Sequence, residues 1–307
     1  MDTVTHKHTL YFNVSEADSI RNNLRVYGWA IVRGVVSIEM CAEIARNTAD
    51  LFTKLKPNWK TEGLPGSLGS GILNYGHVAV QEPFWRVREQ YAAFMAKLMG
   101  WKKVCTSVDN LKVAVAGRKP PKQSSLKPHV DMSFGSHEHE IYLSKEHVTI
   151  QAQVCITNPG KFKFCFGDLI DVDDLPYNDK KGFTPIPGAV CPNYIILKPG
   201  DTLLWNSNLV HTNDPNLEAY NPDDHECGLR TLGVFVCCAN GEWQTDKERA
   251  AKIARVKEGL TGTHNPVGIK PNGGHLHMSV SRNPAQKNYI EKPLNPPTLK
   301  REWVNIL

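Results

Sequence analysis

Apolar side chains recur along the first hundred residues at three- and four-residue steps. In SIEMCAEIARNTADLF the positions Ile38, Cys41, Ile44, Ala45, Leu51 and Phe52 fall on one helical face, with Ser37 placed to cap the first turn. A second run, Pro83 to Met99, sets Phe84, Val87, Tyr91, Phe94, Met95 and Leu98 on one side, and Pro83 suits a first helical position. Between them GLPGSLGSG, Gly63 to Gly71, reads as a surface connection or a flexible lid.

From residue 101 the period changes to two. In VTIQAQVCI, Val148, Ile150, Ala152, Val154 and Ile156 alternate strictly with Thr149, Gln151, Gln153 and Cys155, so this strand has one apolar and one polar face. Shorter strand patterns follow in LKVAVAG from Leu111, YIIL from Tyr194, TLLW from Thr202 and LRTLGVFVCC from Leu229, with turn chemistry at Lys198-Pro199-Gly200-Asp201. Many short strands favour a barrel or jelly roll. The acidic stretch Phe166 to Asp179 lacks the glycine and terminal glutamate of a calcium loop and reads as an exposed connection. TDKERAAKIARVKEGL opens on a Thr245/Glu248 capping box and predicts a helix with Ala250, Ile253 and Leu260 on its packed side.

Composition narrows the class without naming a chemistry. With 22% charged and 41% hydrophobic residues, the 307-residue chain is neither a disordered nor a membrane protein. The start MDTVTHKHTLYFNVSEAD has acids where a secretory signal would be apolar, so the expected location is cytoplasmic. The eight cysteines contain no CxxC and read as buried, inert thiols in a reducing compartment. From Arg255 onward eight basic residues face three glutamates, which accounts for the whole net charge of +5. A solvated, Pro/Gly-rich extension explains that excess; a nucleic acid or other anionic partner would bind there if anywhere.

The candidate chemistry lies at His129, Asp131 and His211. In an extended segment His129-Val130-Asp131 puts imidazole and carboxylate on one face, one pleat apart, within reach of a single ion. A distant histidine would complete a two-histidine, one-carboxylate triad, which leaves open positions on an octahedral iron. The triplet alone is weak evidence, since about 0.6 such triplets arise by chance at this composition. Its context is more specific: KPGDTLLWNSNLVH delivers His211 from a strand after a Gly-Asp turn, and LRTLGVFV brings Arg230 to the start of the next strand.

HVD, then TIQAQV, KPGDTLLWNSNLVH and LRTLGVFV in that order resemble the Fe(II)/2-oxoglutarate dioxygenases of the phytanoyl-CoA hydroxylase-like group. VYGWAIVRGVVSIEMCAEI is similar to that group's opening strand, Arg-Gly turn and helix, so the likeness spans roughly residues 26 to 266. It implies a mainly β fold with flanking helices around a double-stranded β-helix (jelly-roll) core. His129, Asp131 and His211 would hold Fe(II), and Arg230 would bind the distal carboxylate of 2-oxoglutarate, aided by Asn213. Dioxygen and a small-molecule substrate would complete the reaction, with succinate and carbon dioxide as products. A carboxylate at Asp131 favours hydroxylation over halogenation. The segment between His211 and Arg230 is longer than its counterparts in the group, which means either an acidic loop inserted at the mouth or an arginine other than Arg230 in that role, although no other arginine opens a strand in this region.

Gln151 and Gln153, with Thr149, face a cavity or bond within the barrel; Trp205 and Phe134 are cavity walls or core aromatics. Sequence leaves both readings open. The expected organisation is one domain over 1–307: helical support in 1–100, the β core in 101–240, and a helix with a basic extension in 241–307. His137, His139 and Glu140, or His275 and His277, form weaker metal candidates in polar loops, and His225 and His264 read as solvated or structural. No P-loop, GxGxxG or GxSxG occurs, which removes support for nucleotide hydrolysis, Rossmann redox chemistry and esterase chemistry. The competing functions are a catalytically degenerate jelly-roll binding or assembly module, and a metal enzyme that uses no 2-oxoglutarate.

Overall fold

The structure is a computed structural model and describes residues 11–64, 72–73, 76–115, 127–131, 149–157, 163–171, 184–214, 226–259, 266–267 and 298–307. In chain order its first part comprises β1 (Tyr11–Asn13), α1 (Ala17–Tyr27), β2 (Trp29–Arg33), α2 (Ile38–Leu55), α3 (Trp59–Glu62), β3 (Ile72–Leu73), α4 (Gly76–Ala79) and α5 (Glu82–Met99). The strands β4 (Val104–Thr106), β5 (Leu111–Val115), β6 (His129–Val130), β7 (Ile150–Thr157) and β8 (Lys163–Leu169) follow. Then come β9 (Thr184–Pro185), β10 (Asn193–Ile196), β11 (Asp201–Asn206), β12 (Leu209–Asp214), β13 (Leu229–Asn240), α6 (Asp246–Lys257) and α7 (Arg301–Asn305).

The larger sheet runs β1-β2-β11-β7-β13-β5-β3 with β4 also on β13, and the smaller runs β10-β8-β12-β6-β9. All pairs are antiparallel except β1 with β2. From β5 to β8, and again from β11 to β13, successive strands alternate between the two sheets. That alternation is the winding of a double-stranded β-helix, here an open jelly roll of two sheets.

The alternation read in TIQAQVCI decides the layers. Ile150, Ala152, Val154 and Ile156 on β7 join Ile44 and Phe52 of α2 and Val87 and Tyr91 of α5 in one buried cluster, so helices cover this face of the larger sheet. The opposite face packs on the smaller sheet. There Ile31, Cys155, Leu203 and Trp205 meet Phe164, Phe166 and Leu209, and the rings of Trp29 and Phe166 stack with centroids 5.1 Å apart. Burial of both faces explains why β7 is covered along its whole length. Gln151 and Gln153 are therefore interior side chains, not solvated ones.

Local signals act where the sequence placed them. The Ser37 side chain accepts a hydrogen bond from the Met40 N–H to start α2, and both halves of the Thr245/Glu248 capping box form at α6. Three expectations need correction. The first hundred residues are not helical support alone: β1, β2 and β3 extend the larger sheet, with β2 hydrogen-bonded to β11. Phe166 to Leu169 are no exposed connection but part of β8, and Phe166 is buried because its ring fills the space between the sheets. On α6 the buried residues are Lys252 and Val256 while Ala250 is exposed, because the Lys252 ammonium donates to the carbonyls of Pro266 and Leu307 and turns that face inward. Among the described residues no helix is long and apolar enough to cross a membrane.

Candidate metal centre

His129 lies on β6 and His211 on β12, paired directly in register. Their neighbours Val130 and Val210 are buried together on the other face of the smaller sheet, beside Ile170 and Ile186. Alternation along each strand then turns both imidazoles into the space between the sheets. The two rings sit 4.5 Å apart between centroids, and Trp205 of β11 stands 5.7 Å from the His211 ring. The β11–β12 turn at Ser207-Asn208 crosses from one sheet to the other, so tryptophan and histidine meet across the gap.

Asp131 follows β6 directly and places one carboxylate oxygen 3.4 Å from His129 Nε2 and the other 3.2 Å from His211 Nε2. His129 Nδ1 lies 2.8 Å from the Lys127 carbonyl, and His211 Nδ1 lies 3.0 Å from the Leu209 carbonyl. A carbonyl only accepts, so each Nδ1 carries the proton and donates it. In the neutral rings both Nε2 lone pairs then face the carboxylate. This use of the remote ring nitrogen is how metal-binding histidines are oriented. One donor atom from each residue lies within 4.8 Å of the others, a spacing that suits a shared ion.

Opposite this triad the larger sheet presents a polar surface. Gln151 pairs in register with Trp205 on β11 and with Cys237 on β13; Gln153 pairs with Leu203 and Phe235. Both glutamines are about 98–99% buried, and Gln151 Oε1, Gln153 Oε1, Thr149 Oγ1 and Trp205 Nε1 have no hydrogen-bond partner among the described residues. Buried polar atoms of this kind are costly unless a ligand or water satisfies them. Arg230 is buried near the start of β13. Asn213 lies on β12 in register with Phe164. Phe134, His137, His139, Glu140, His225, His264, His275 and His277 lie outside the described residues.

Two interior residues were not singled out in the sequence. Lys112 on β5 is buried on the inter-sheet face, since its neighbours Leu111 and Val113 belong to the helix-side cluster. Gly233 on β13 is its register partner, and a Cβ built there would come within 2.5 Å of Gln153 Nε2. The absent side chain is what lets the Gln153 amide lie across β13. Both had a local signal: a charge amid the apolar positions of LKVAV, and an isolated glycine inside a strand pattern, which marks a close approach.

No protein-family model and no curated protein sequence matches this chain. Several solved structures align with part of this chain. A structure of the epimerase SnoN in complex with Fe3+, alpha ketoglutarate and nogalamycin RO aligns at 15% identity and TM-score 0.49, covering 74% of this chain and 84% of that one. The non-heme monooxygenase ThoJ in its apo form aligns at 13% and 0.42, covering 72% and 77%, respectively. AviO1 from Streptomyces viridochromogenes Tue57 aligns at 13% and 0.41, covering 73% and 95%. These likenesses are too distant to assign chemistry, which must come from the site's own residues.

Proposed function

We propose that this chain is a non-haem Fe(II)/2-oxoglutarate-dependent dioxygenase of the phytanoyl-CoA hydroxylase-like group that hydroxylates a small molecule. The observation that carries this reading is the His129–Asp131–His211 arrangement, in which both Nδ1 atoms are committed to backbone carbonyls and both Nε2 atoms face one carboxylate. Two imidazole Nε2 atoms and a carboxylate gathered in a buried site offer three donor atoms to one divalent cation. Two imidazoles and a carboxylate without thiolate suit Fe(II) with open positions. The donor set therefore fits the metal, with His129, Asp131 and His211 as the ligands.

When bound, the iron supplies the oxidising chemistry by which 2-oxoglutarate and dioxygen become succinate and carbon dioxide and the substrate gains a hydroxyl. The chain's own residues bind and orient. The Arg230 guanidinium offers two parallel donors to a carboxylate, a bidentate pairing that lysine cannot reproduce. Gln151 and Gln153 present unmatched acceptor oxygens, which favour a ligand that brings hydroxyl or amide donors. Trp205 shields the His211 side of the site and offers one indole N–H to an acceptor. Asn213, two residues after His211, is the further polar contact to the cosubstrate that the sequence resemblance implies.

Anaerobic titration with Fe(II) and then 2-oxoglutarate tests this reading. The expected result is a visible charge-transfer band, followed by succinate on admission of air. In His129→Ala and His211→Ala, metal affinity falls by at least about 100-fold, beyond what loss of an outer hydrogen bond costs. No band, or a band that His129→Ala leaves unchanged, overturns the assignment. Succinate formation that survives Arg230→Ala instead indicates metal chemistry without 2-oxoglutarate.

A further inference from the structure

Lys112 is a buried charged residue that the proposed reaction leaves without a role. It lies on β5, almost fully buried, on the inter-sheet face shared with Gln151, Gln153 and Arg230. Its register partner on β13 is Gly233, and the Gln153 amide occupies the space that a side chain there would fill. Lysine and glutamine thus approach the same point of β13 from the two strands that flank it.

Among the described residues, charged groups that face Lys112 come from both sheets. From β13 comes Arg230, three residues before Gly233, whose field acts on Lys112 by repulsion. The thiols Cys237 and Cys238 lie further along β13, where Cys238 pairs with β4. On its other side β3 (Ile72–Leu73) brings no ionisable side chain. From the smaller sheet His129, Asp131 and His211 face the same interior.

Two cations on one buried face repel, and an anion seated between them relieves that repulsion while gaining a charge-assisted hydrogen bond from each. A single guanidinium suffices for one carboxylate on a protein surface. A second cation beside it on the same buried face suits a ligand whose far end carries a full negative charge. Resting on the function proposed above, we propose that Lys112 is a second binding residue for the distal carboxylate of the 2-oxo acid cosubstrate, shared with Arg230. Lys112 thereby makes the site selective for dianionic over monoanionic 2-oxo acids.

A proton linkage follows. Burial first, and Arg230 second, push the Lys112 amine down from 10.5 to about 7. At pH ~8 the empty site then holds it mostly neutral, and a bound carboxylate favours the ammonium, so binding takes up a proton.

Isothermal titration of the anaerobic, Fe(II)-loaded protein at pH ~8 tests this, in two buffers of different ionisation enthalpy. The titrants are 2-oxoglutarate and 2-oxopentanoate, which has the same chain length but no distal carboxylate. The wild type should prefer 2-oxoglutarate and take up most of a proton with it. Lys112→Met should lose about 10- to 100-fold of that preference, the range of a charge-assisted hydrogen bond, together with the proton uptake. Lys112→Arg should retain most of the preference. If the wild type binds 2-oxoglutarate but Lys112→Met keeps the same preference, Lys112 is not a ligand and the dioxygenase reading stands. If the wild type binds neither acid, both fall. Should Lys112→Met fail to fold, 2-oxoglutarate binding by the wild type without proton uptake overturns the role of Lys112.

Discussion

Gly233 shows how much of this interior turns on single atoms. A methyl group there would meet Gln153 Nε2 at 2.5 Å and Cδ at 3.0 Å, so the amide must move. Because Gln153 has freedom at its far end, and alanine suits a strand better than glycine, Gly233→Ala should cost only about 1 kcal/mol, at the low end of overpacking. The same substitution should weaken 2-oxoglutarate binding several-fold, because the displaced amide shifts on the inter-sheet face that Gln153 shares with Lys112. A thermal melt paired with a binding isotherm separates the two effects. Unchanged affinity would show that Gln153 does not border the ligand. At this scale the sequence exposed the HVD spacing, since one pleat is a local distance, but Gly233 needed its neighbour strand before its use was visible.

At the scale of elements, the C-terminal segment depends on contacts rather than on its own propensity. α7 has five residues, too short for an isolated helix. Its Trp303 stacks on Trp85 of α5 with centroids 5.5 Å apart and planes within 10°. Behind it, the Lys252 ammonium and the Gln244 amide both donate to Leu307, each at 2.7 Å. Trp303→Ala should therefore destabilise by about 3–5 kcal/mol, the usual cost of emptying a buried tryptophan site. Metal-induced stabilisation should persist in that variant, because Trp303 packs in a cluster with Val80, Trp85, Val108 and Val256 that is separate from the cluster of Val130 and Val210, the neighbours of His129 and His211. A shift of melting temperature with Fe(II) equal in both proteins is the expected reading; loss of the shift would show that the segment shapes the site. The capping box of α6 was legible because four consecutive residues encode it. Its buried face was not, because a lysine bonded to distant carbonyls overrode the apolar pattern.

Across the whole molecule, buried ionisable groups set how stability follows pH. Burial lowers Lys112 to about 7 and Lys252 to about 8, from 10.5 in each case. Above these values the unfolded chain binds more protons than the folded one, so stability rises with pH from about 7. The thiols act oppositely: burial pushes Cys41 up to about 11 and raises Cys155 and Cys238 well above 9.0. Past pH ~9 the unfolded chain releases thiol protons that the folded one keeps, and stability falls. Urea unfolding of the metal-free protein between pH ~6.5 and ~10 should therefore pass through a maximum near 8 to 9. Lys112→Met should flatten the rising limb and leave the falling limb in place; an unchanged rising limb would mean that Lys112 titrates near its ordinary value.

What the sequence determined by itself was local: helix periods and caps, the period-two strands, and the one-pleat spacing of His129 and Asp131. Each depends on residues within a turn or a strand of one another, where backbone geometry alone places the side chains. Tertiary structure decided which strands became neighbours, and so paired His211 with His129. It also buried the polar face of β7 against a second sheet, set Lys112 in the field of Arg230, and drew β2 from the N-terminal helical region into the larger sheet. Alternation tells which side chains share a face, but only register tells which of them meet.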